Sequence, residues 1–240
     1  MLHFDWSYFI YVGPFMLLSL WAGWKVKSAF SKWDQVRNSS GYTGADVARK
    51  ILDSQGLYHV KVERVPGELT DHYDPGSKTL RLSDSTYDSS SVAAAGVAAH
   101  EAGHAIQDKV QYSMLTFRST IVQMAGFSSN ASWIMIFAGF AMMTFLRSSL
   151  GYYIAVAGVA LFAIVVLFQL ITVPVELDAS RRAKEVLQGM GIQQSGTGSG
   201  VAEVLNAAAW TYVAAAGTAL ATLLYYALQL AGFNRGQDGE

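Results

Sequence analysis

At 240 residues, 52% hydrophobic and only 15% charged, the chain is far more apolar than a soluble globular protein, and its apolar residues collect in four runs. It contains no cysteine, which excludes a disulfide framework and a thiolate metal site and leaves histidine and carboxylates as ligands for any metal. A net charge of −1 argues against a nucleic-acid partner.

The first apolar run, Phe4 to Trp24, has about the twenty residues a bilayer requires. No Lys or Arg precedes it and no small-residue cleavage site closes it, so it reads as a retained anchor. Lys25, Lys27, Lys32 and Arg37 follow, which by the positive-inside rule puts the amino terminus outside and residue 25 onward in the cytoplasm. Over Lys25 to Asn38, Val26, Ala29, Phe30 and Trp33 share one side. This predicts a helix lying in the cytoplasmic interface, against the alternative of a plain continuation of the first span.

From Gly41 the pattern is that of soluble protein. Thr43 caps a helix to about Ser54 that buries Val47, Ala48, Ile51 and Leu52 and stops at Gly56. Alternation over Tyr58 to Val65, ended by Pro66-Gly67, predicts a strand, and Lys78 to Ser83 a second one. The two are read as a hairpin. Thr79, Leu80, Arg81 and Leu82 are the candidate edge on which an extended peptide would pair, the alternative being an internal strand without substrate contact. Between the strands, His72 and Tyr73 sit in the polar loop Asp71–Asp74. His72 is a candidate metal ligand or oxyanion donor and Tyr73 a candidate for a catalytic part, against a solvated loop.

Val97 to Asp108, VAAHEAGHAIQD, carries the chemistry. Its centre, His100-Glu101-Ala102-Gly103-His104, reads H-E-x-x-H. On a helix the two histidines stand one turn apart and can bind one ion, while Glu101 can reach a water on that ion as general base. The preceding alanines and a cap at Ser89, Ser90 or Ser91 supply the helix. The competing reading is a helix with two solvated histidines. Ala98, Ala99, Ala102 and Ala105 weigh against it, because such small residues mark a closely packed helix.

A second apolar run is clearest over Ala131 to Leu146 and starts earlier, with Ser128, Ser129 and Asn130 expected to face protein. Arg147-Ser148-Ser149 turns outside. The third run, Tyr152 to Val173, returns the chain to Arg181, Arg182 and Lys184 on the cytoplasmic side. A catalytic zinc needs a third protein ligand and an open position. Pro174, a break or fresh start at the boundary, is followed by Glu176, with Asp178 as the competing ligand. Gly189 to Gly200 is a flexible connection by composition, the alternative being a flap over the site. Val201 to Phe233 is the last span, with Ala214, Gly217 and Ala221 suited to close packing. Tyr212 in it is an oxyanion donor or an interfacial anchor. The tail from Asn234 is then outside.

The stretches GELTDHYDP (67–75), LRLS (80–83), VAAHEAGHAIQ (97–107) and PVELDASRRA (174–183) resemble the bacterial neutral zinc metallopeptidases of the membrane, type 2. The resemblance runs from the first anchor into the last, to residues 211–215. More distantly the chain is similar to the prenyl-protein and heat-shock membrane metalloproteases. These resemblances imply that Glu176 is the third ligand of one Zn2+ per chain. In the distant cousins an aspartate four residues after that glutamate orients a zinc histidine. Here the place is Ser180, and Asp178 or Asp108 are candidates for that work.

The resulting expectation is a mostly α, multi-pass membrane protein with about four spanning helices and a small α+β cytoplasmic segment. Its layout is a first span in 1–24, a catalytic segment in 25–120, spans two and three in 121–173, a cytoplasmic helix and linker in 174–200, and the last span and tail in 201–240. In a bacterial inner membrane the site faces the cytoplasm and both termini lie outside. The function expected is a zinc endopeptidase acting on a peptide or membrane-protein substrate, in which Glu101 moves the proton. The alternative is a metal-binding scaffold without activity of its own. A transporter is disfavoured because no span has a charge near its middle. Glycine-rich and aromatic spanning faces are compatible with self-association or with another membrane-protein partner.

Overall fold

The protein is described here by a computed structural model covering residues 6–192 and 198–237. His3, the middle of the Gly189–Gly200 connection and the end of the tail lie outside the described residues. The chain is mostly helical: α1 (Ser7–Tyr11), α2 (Gly13–Asp34), α3 (Gly44–Ser54), β1 (Lys61–Val65), β2 (His72–Asp74), β3 (Thr79–Ser83), α4 (Asp84–Tyr87), α5 (Val92–Lys109), α6 (Ser113–Phe145), α7 (Ser149–Gly189) and α8 (Gly198–Gln237). Among the described residues three helices are long and apolar enough to cross a membrane, namely α6, α7 and the Ser199–Phe233 part of α8. The chain divides into two compact units.

One unit comprises Trp21–Thr116 and Pro174–Thr211. Local chemistry sets its first elements. Pro14 sits in the first turn of α2, where a missing N–H costs nothing, and no proline follows before Asp34, so α2 continues through Lys25 as one helix. The separate interfacial helix expected over residues 25–38 is thus the second half of α2. Helix α3 opens with a capping box: Thr43 Oγ1 accepts from Asp46 N, and Asp46 accepts from the Thr43 backbone. It ends before Gly56, whose φ of +68° is the left-handed conformation that glycine adopts without strain. Val47, Ala48, Ile51 and Leu52 are wholly buried, as their spacing requires.

The sheet corrects the sequence reading. Its order is β1-β3-β2, with β1 parallel and β2 antiparallel to β3. The strands read as a hairpin are therefore parallel neighbours, and the hairpin is β2–β3, closed through Asp74–Lys78. Strand β3 is the central strand, paired on both flanks over Thr79, Leu80 and Arg81 and with Arg64 of β1 at Leu82, so it is not the expected edge: Val62 pairs with Leu80 on one flank and Tyr73 with Leu80 on the other. The reason is burial. Leu80 and Leu82 are fully inside, each contributing about 1.5–3 kcal/mol, and a strand so apolar takes the central place. The core of this unit joins these leucines to the α3 face, to Ala95, Ala98, Ala99 and Ala102 of α5, and to Ala183, Leu187, Val201 and Leu205 of α7 and α8.

The other unit, Phe117–Val173 with the two chain ends, packs its helices at small residues. A Cβ on Gly139 would meet Ala155 N at 2.6 Å, and one on Gly158 would meet Ile136 N at 2.8 Å, so α6 and α7 approach backbone to backbone. Ala214 is buried, and Gly217 lies against Phe15, where a Cβ would meet the ring at 2.6 Å. Ser128 is buried, but Ser129 is only half-buried and Asn130 is exposed, so the polar trio does not turn inward as a group. The α6–α7 turn is tight, with Arg147 at φ +49°. Helix α7 is continuous through Pro174, where a break was expected. A proline deletes a single N–H, and in long apolar helices this is tolerated because neighbouring groups satisfy the freed carbonyl.

Candidate metal centre

Helix α5 starts at Ser91, whose Oγ accepts from Ala94 N at 3.0 Å. That fixes the phase of the helix. Its alanines enter the core, and His100 and His104 fall one turn apart with ring centroids 4.8 Å apart and planes nearly perpendicular. Glu176 comes from α7, in the same unit. Its Oε2 lies 3.1 Å from His100 Nε2 and 3.4 Å from His104 Nε2. One ligand atom from each of the three lies within 4.8 Å of the others. Glu176 and His104 are buried, and the His100 side chain is 11% accessible.

The far nitrogens show how the imidazoles are held. His100 Nδ1 is 3.1 Å from Ser180 Oγ, and His104 Nδ1 is 3.0 Å from Gln107 Oε1. An amide oxygen only accepts, so Nδ1 of His104 carries the hydrogen and Nε2 presents its lone pair. With Nδ1–H of His100 donating to Ser180, both Nε2 lone pairs face a carboxylate oxygen. Such a cluster of acceptors can hold a cation, either a metal ion or a proton on an imidazole. Zinc bond lengths of about 2.0–2.1 Å at tetrahedral angles set neighbouring ligand atoms about 3.4 Å apart, so the two Glu176 contacts fit that ion. The histidine–histidine separation is the side that an ion would draw in.

Glu101 is buried beside the histidines. Burial pushes its carboxyl pKa upward, with Glu176 and Asp71 adding to the rise, while His104 and His100 pull the other way. A carboxylate so placed holds a proton more readily than an exposed one and can still give it back. For His104, burial alone would lower the pKa, but the hydrogen bond to Glu176 and the charges of Glu176 and Glu101 outweigh it, and the net shift is upward.

The remaining candidates separate cleanly. Asp178 does not face the cluster. Its Oδ2 accepts from Gln107 Nε2 at 2.9 Å and from Arg182 Nε at 2.6 Å, and Arg181 holds its other oxygen. Asp108 is bound by Tyr73, whose hydroxyl donates at 2.7 Å, and by Lys78 at 2.6 Å, so it orients neither histidine. Burial first, then Asp108, drives the Tyr73 pKa far up, which makes this hydroxyl a fixed donor to Asp108. His72 is exposed on β2 with Nδ1 2.9 Å from Thr70 O, apart from the three clustered ligands. Tyr212 is half-buried on α8 and belongs to the other unit. Ser180, four residues after Glu176, is the group that meets His100 Nδ1. Gln107 is the residue that sequence reasoning missed. It is fully buried three places after His104, and the signal was an amide inside an alanine-rich helix.

A helix-borne H-E-x-x-H whose histidines meet a carboxylate from a second helix is the ligand arrangement of a metallopeptidase, here in a chain with membrane-length helices. Residues 8–231 match the family described as "Putative neutral zinc metallopeptidase", and the chain belongs to that family. It is 44% identical over 211 residues to a protein of Bacillus subtilis (strain 168) named "Putative membrane protease YugP", covering 88% of this chain and 91% of that one. No solved structure gives a significant match.

Proposed function

We propose that the protein is an integral-membrane zinc endopeptidase whose metal ligands are His100, His104 and Glu176 and whose general base is Glu101. The observation that carries this reading is the convergence of two Nε2 atoms and one carboxylate oxygen next to a second buried acid, Glu101. Zinc, when bound, supplies Lewis acidity, which acidifies a water and polarises the scissile carbonyl. Glu101 accepts the proton as that water attacks and returns it to the departing amine, a task suited to a carboxyl whose burial raises its proton affinity. Ser180 and Gln107 hold the imidazole rings. For an extended peptide the free sheet edge nearest α5 is β2, which packs on that helix and pairs only with β3 among the described strands.

The membrane layout belongs to the same proposal. The amino-terminal apolar run is a fourth span beside the three membrane-length helices. Lys25, Lys27 and Lys32 after the first run, and Arg181, Arg182 and Lys184 after the third, support a cytoplasmic site with both termini outside.

The test is elemental analysis of detergent-purified wild type, Glu176→Gln and Asp178→Asn, with peptidase assays of Glu101→Gln. One zinc per chain is expected in wild type, lost with Glu176→Gln and kept with Asp178→Asn. Glu101→Gln should keep zinc and lose hydrolysis. Hydrolysis surviving in Glu101→Gln overturns the mechanism, and a zinc-loaded wild type that cleaves nothing favours the scaffold reading.

A further inference from the structure

Gln107 is used at every polar position it has. Its Oε1 lies 3.0 Å from His104 Nδ1, and its Nε2 donates to Val175 O at 2.8 Å and to Asp178 Oδ2 at 2.9 Å. Two acceptors around Nε2 fix which end of the amide is which, so Oε1 must be the atom facing His104. The side chain is 0% exposed. Val175 is the residue before Glu176. One amide therefore sets the ring of one ligand and grips the backbone beside another, across two helices of the same unit. Behind it, Asp178 is itself held by Arg181 and Arg182, so the acceptor that anchors the amide is anchored in turn.

We propose that Gln107 is a positioning residue that assembles the metal ligands, coupling His104 on α5 to the Glu176 turn of α7. This rests on the reading of the cluster as a metal centre. The chemistry asks for an amide. A carboxylate at 107 would accept from His104 but could donate to neither Val175 O nor Asp178, and would set a buried negative charge against the partly buried Asp178. An aliphatic residue would fill the space and leave His104 Nδ1–H, Val175 O and Asp178 all short of a partner. His100 has a simpler link to α7: its Nδ1 lies 3.1 Å from the single hydroxyl of Ser180, one turn after Glu176.

The experiment is zinc affinity, by competition with a chromogenic chelator, on the full chain in detergent. The variants are Gln107→Leu, Gln107→Glu, Asp178→Asn and the double Gln107→Glu/Asp178→Asn, with far-UV circular dichroism of the metal-free proteins as the folding control. Loss of a group that orients a ligand weakens metal binding about 10–100-fold, and that is expected for Gln107→Leu. Gln107→Glu should weaken it at least as much. Asp178→Asn keeps an oxygen for the amide and should stay within about threefold of wild type, by the same reasoning. The double variant exchanges carboxylate and amide while keeping the local charge, so it should recover most of the loss of Gln107→Glu. Such a rescue distinguishes the bridge from a general packing role. A folded Gln107→Leu with wild-type affinity overturns the proposal. So does a folded double variant no better than Gln107→Glu, a comparison that stands even when Gln107→Leu does not fold. Absence of zinc binding in wild type removes the metal centre itself, a result distinct from either of these.

Discussion

Gly103 lies between the two histidines, and α7 passes directly over it. A Cβ built there would stand 2.6 Å from Ala179 O, 3.2 Å from Ala179 C and 3.3 Å from Ala179 Cα. All three are backbone atoms, so no side-chain rotation relieves the overlap. Restoring a contact of about 3.4 Å demands that the two helices part by roughly 0.8 Å or that α5 rotate, and overpacking of this kind costs about 1–3 kcal/mol. Alanine returns about 1 kcal/mol of that through helix propensity. The net loss of folding stability for Gly103→Ala is then about 0–2 kcal/mol. The metal centre is less forgiving. His100 and Glu176 sit on opposite sides of that contact, 3.1 Å apart, and zinc coordination tolerates only about 0.2 Å. Misplacement by about 1 Å costs on the order of 100-fold in a positioned site. Gly103→Ala should therefore bind zinc at least tenfold more weakly while the metal-free protein melts no more than about 8 °C below wild type. Gly126, whose Cβ would meet nothing within 4 Å, serves as the control, and Gly126→Ala should leave zinc binding unchanged. Wild-type affinity and hydrolysis in Gly103→Ala would refute the claim that helix separation sets the site.

Ser180→Ala removes the group 3.1 Å from His100 Nδ1 and should weaken zinc about tenfold in chelator competition, whereas Ser180→Asp, a stronger acceptor, should retain it. Zinc requires neutral imidazoles, and the metal-free His104 pKa lies above the ordinary 6.5. Proton competition should therefore set in above that pH, and the measured dissociation constant should rise about tenfold per unit as pH falls through it; a constant flat down to pH 6.5 would contradict the upward shift. In the metal-free protein the sign is opposite. A raised folded-state pKa contributes stability that is complete below the unfolded value and lost as pH rises through the folded one, to be read from melting temperature against pH. Tyr73→Phe leaves Asp108 with Lys78 and should cost about 1 kcal/mol of stability with kcat unchanged; a large fall in kcat at constant zinc content would restore Tyr73 to the chemistry.

What could be read from the sequence was what nearest neighbours decide. The cap at Thr43, the stop at Gly56 and the phase of α5 depend on residues close in sequence, and all three appear where the pattern places them. Strand β2 was missed because its three residues, His72, Tyr73 and Asp74, are polar or amphipathic and too few to show alternation. The place of β3 in the sheet was equally invisible, since alternation tells which face of a strand is buried but not which flank is paired. At the candidate centre, the spacing of His100, Glu101 and His104 gave the helix-borne part. The choice between Glu176 and Asp178 came through family resemblance, and the structure brings Glu176 to the histidines and turns Asp178 to arginines. Ser180 stood at the position where the cousins have aspartate, but its partner could be found only once α7 was laid across α5.

The two helices divide the site unequally, and that division explains the residues around it. Helix α5 supplies His100, Glu101, His104 and Gln107 within two turns, so their mutual geometry is fixed by helical pitch alone. Helix α7 supplies Glu176 and Ser180 one turn apart, together with the Val175 carbonyl and Asp178, and their geometry is likewise internal. The single free variable is how one helix lies on the other. Alanines at 98, 99 and 102, buried in the core of this unit, let α5 sit close, while Gly103 sets the distance at its crossing with α7. His100–Ser180 and Gln107–Val175 pin the crossing at two points one turn or more apart on each helix, which fixes rotation as well as separation. A polar network of this kind is costly if half-made, because each missing partner leaves a buried donor or acceptor unsatisfied. The same requirement makes the arrangement selective. A sequence that packs these helices with larger residues gains apolar contact but loses the approach that brings Glu176 to both imidazoles, so tight binding of the ion and tight packing of the small residues stand or fall together.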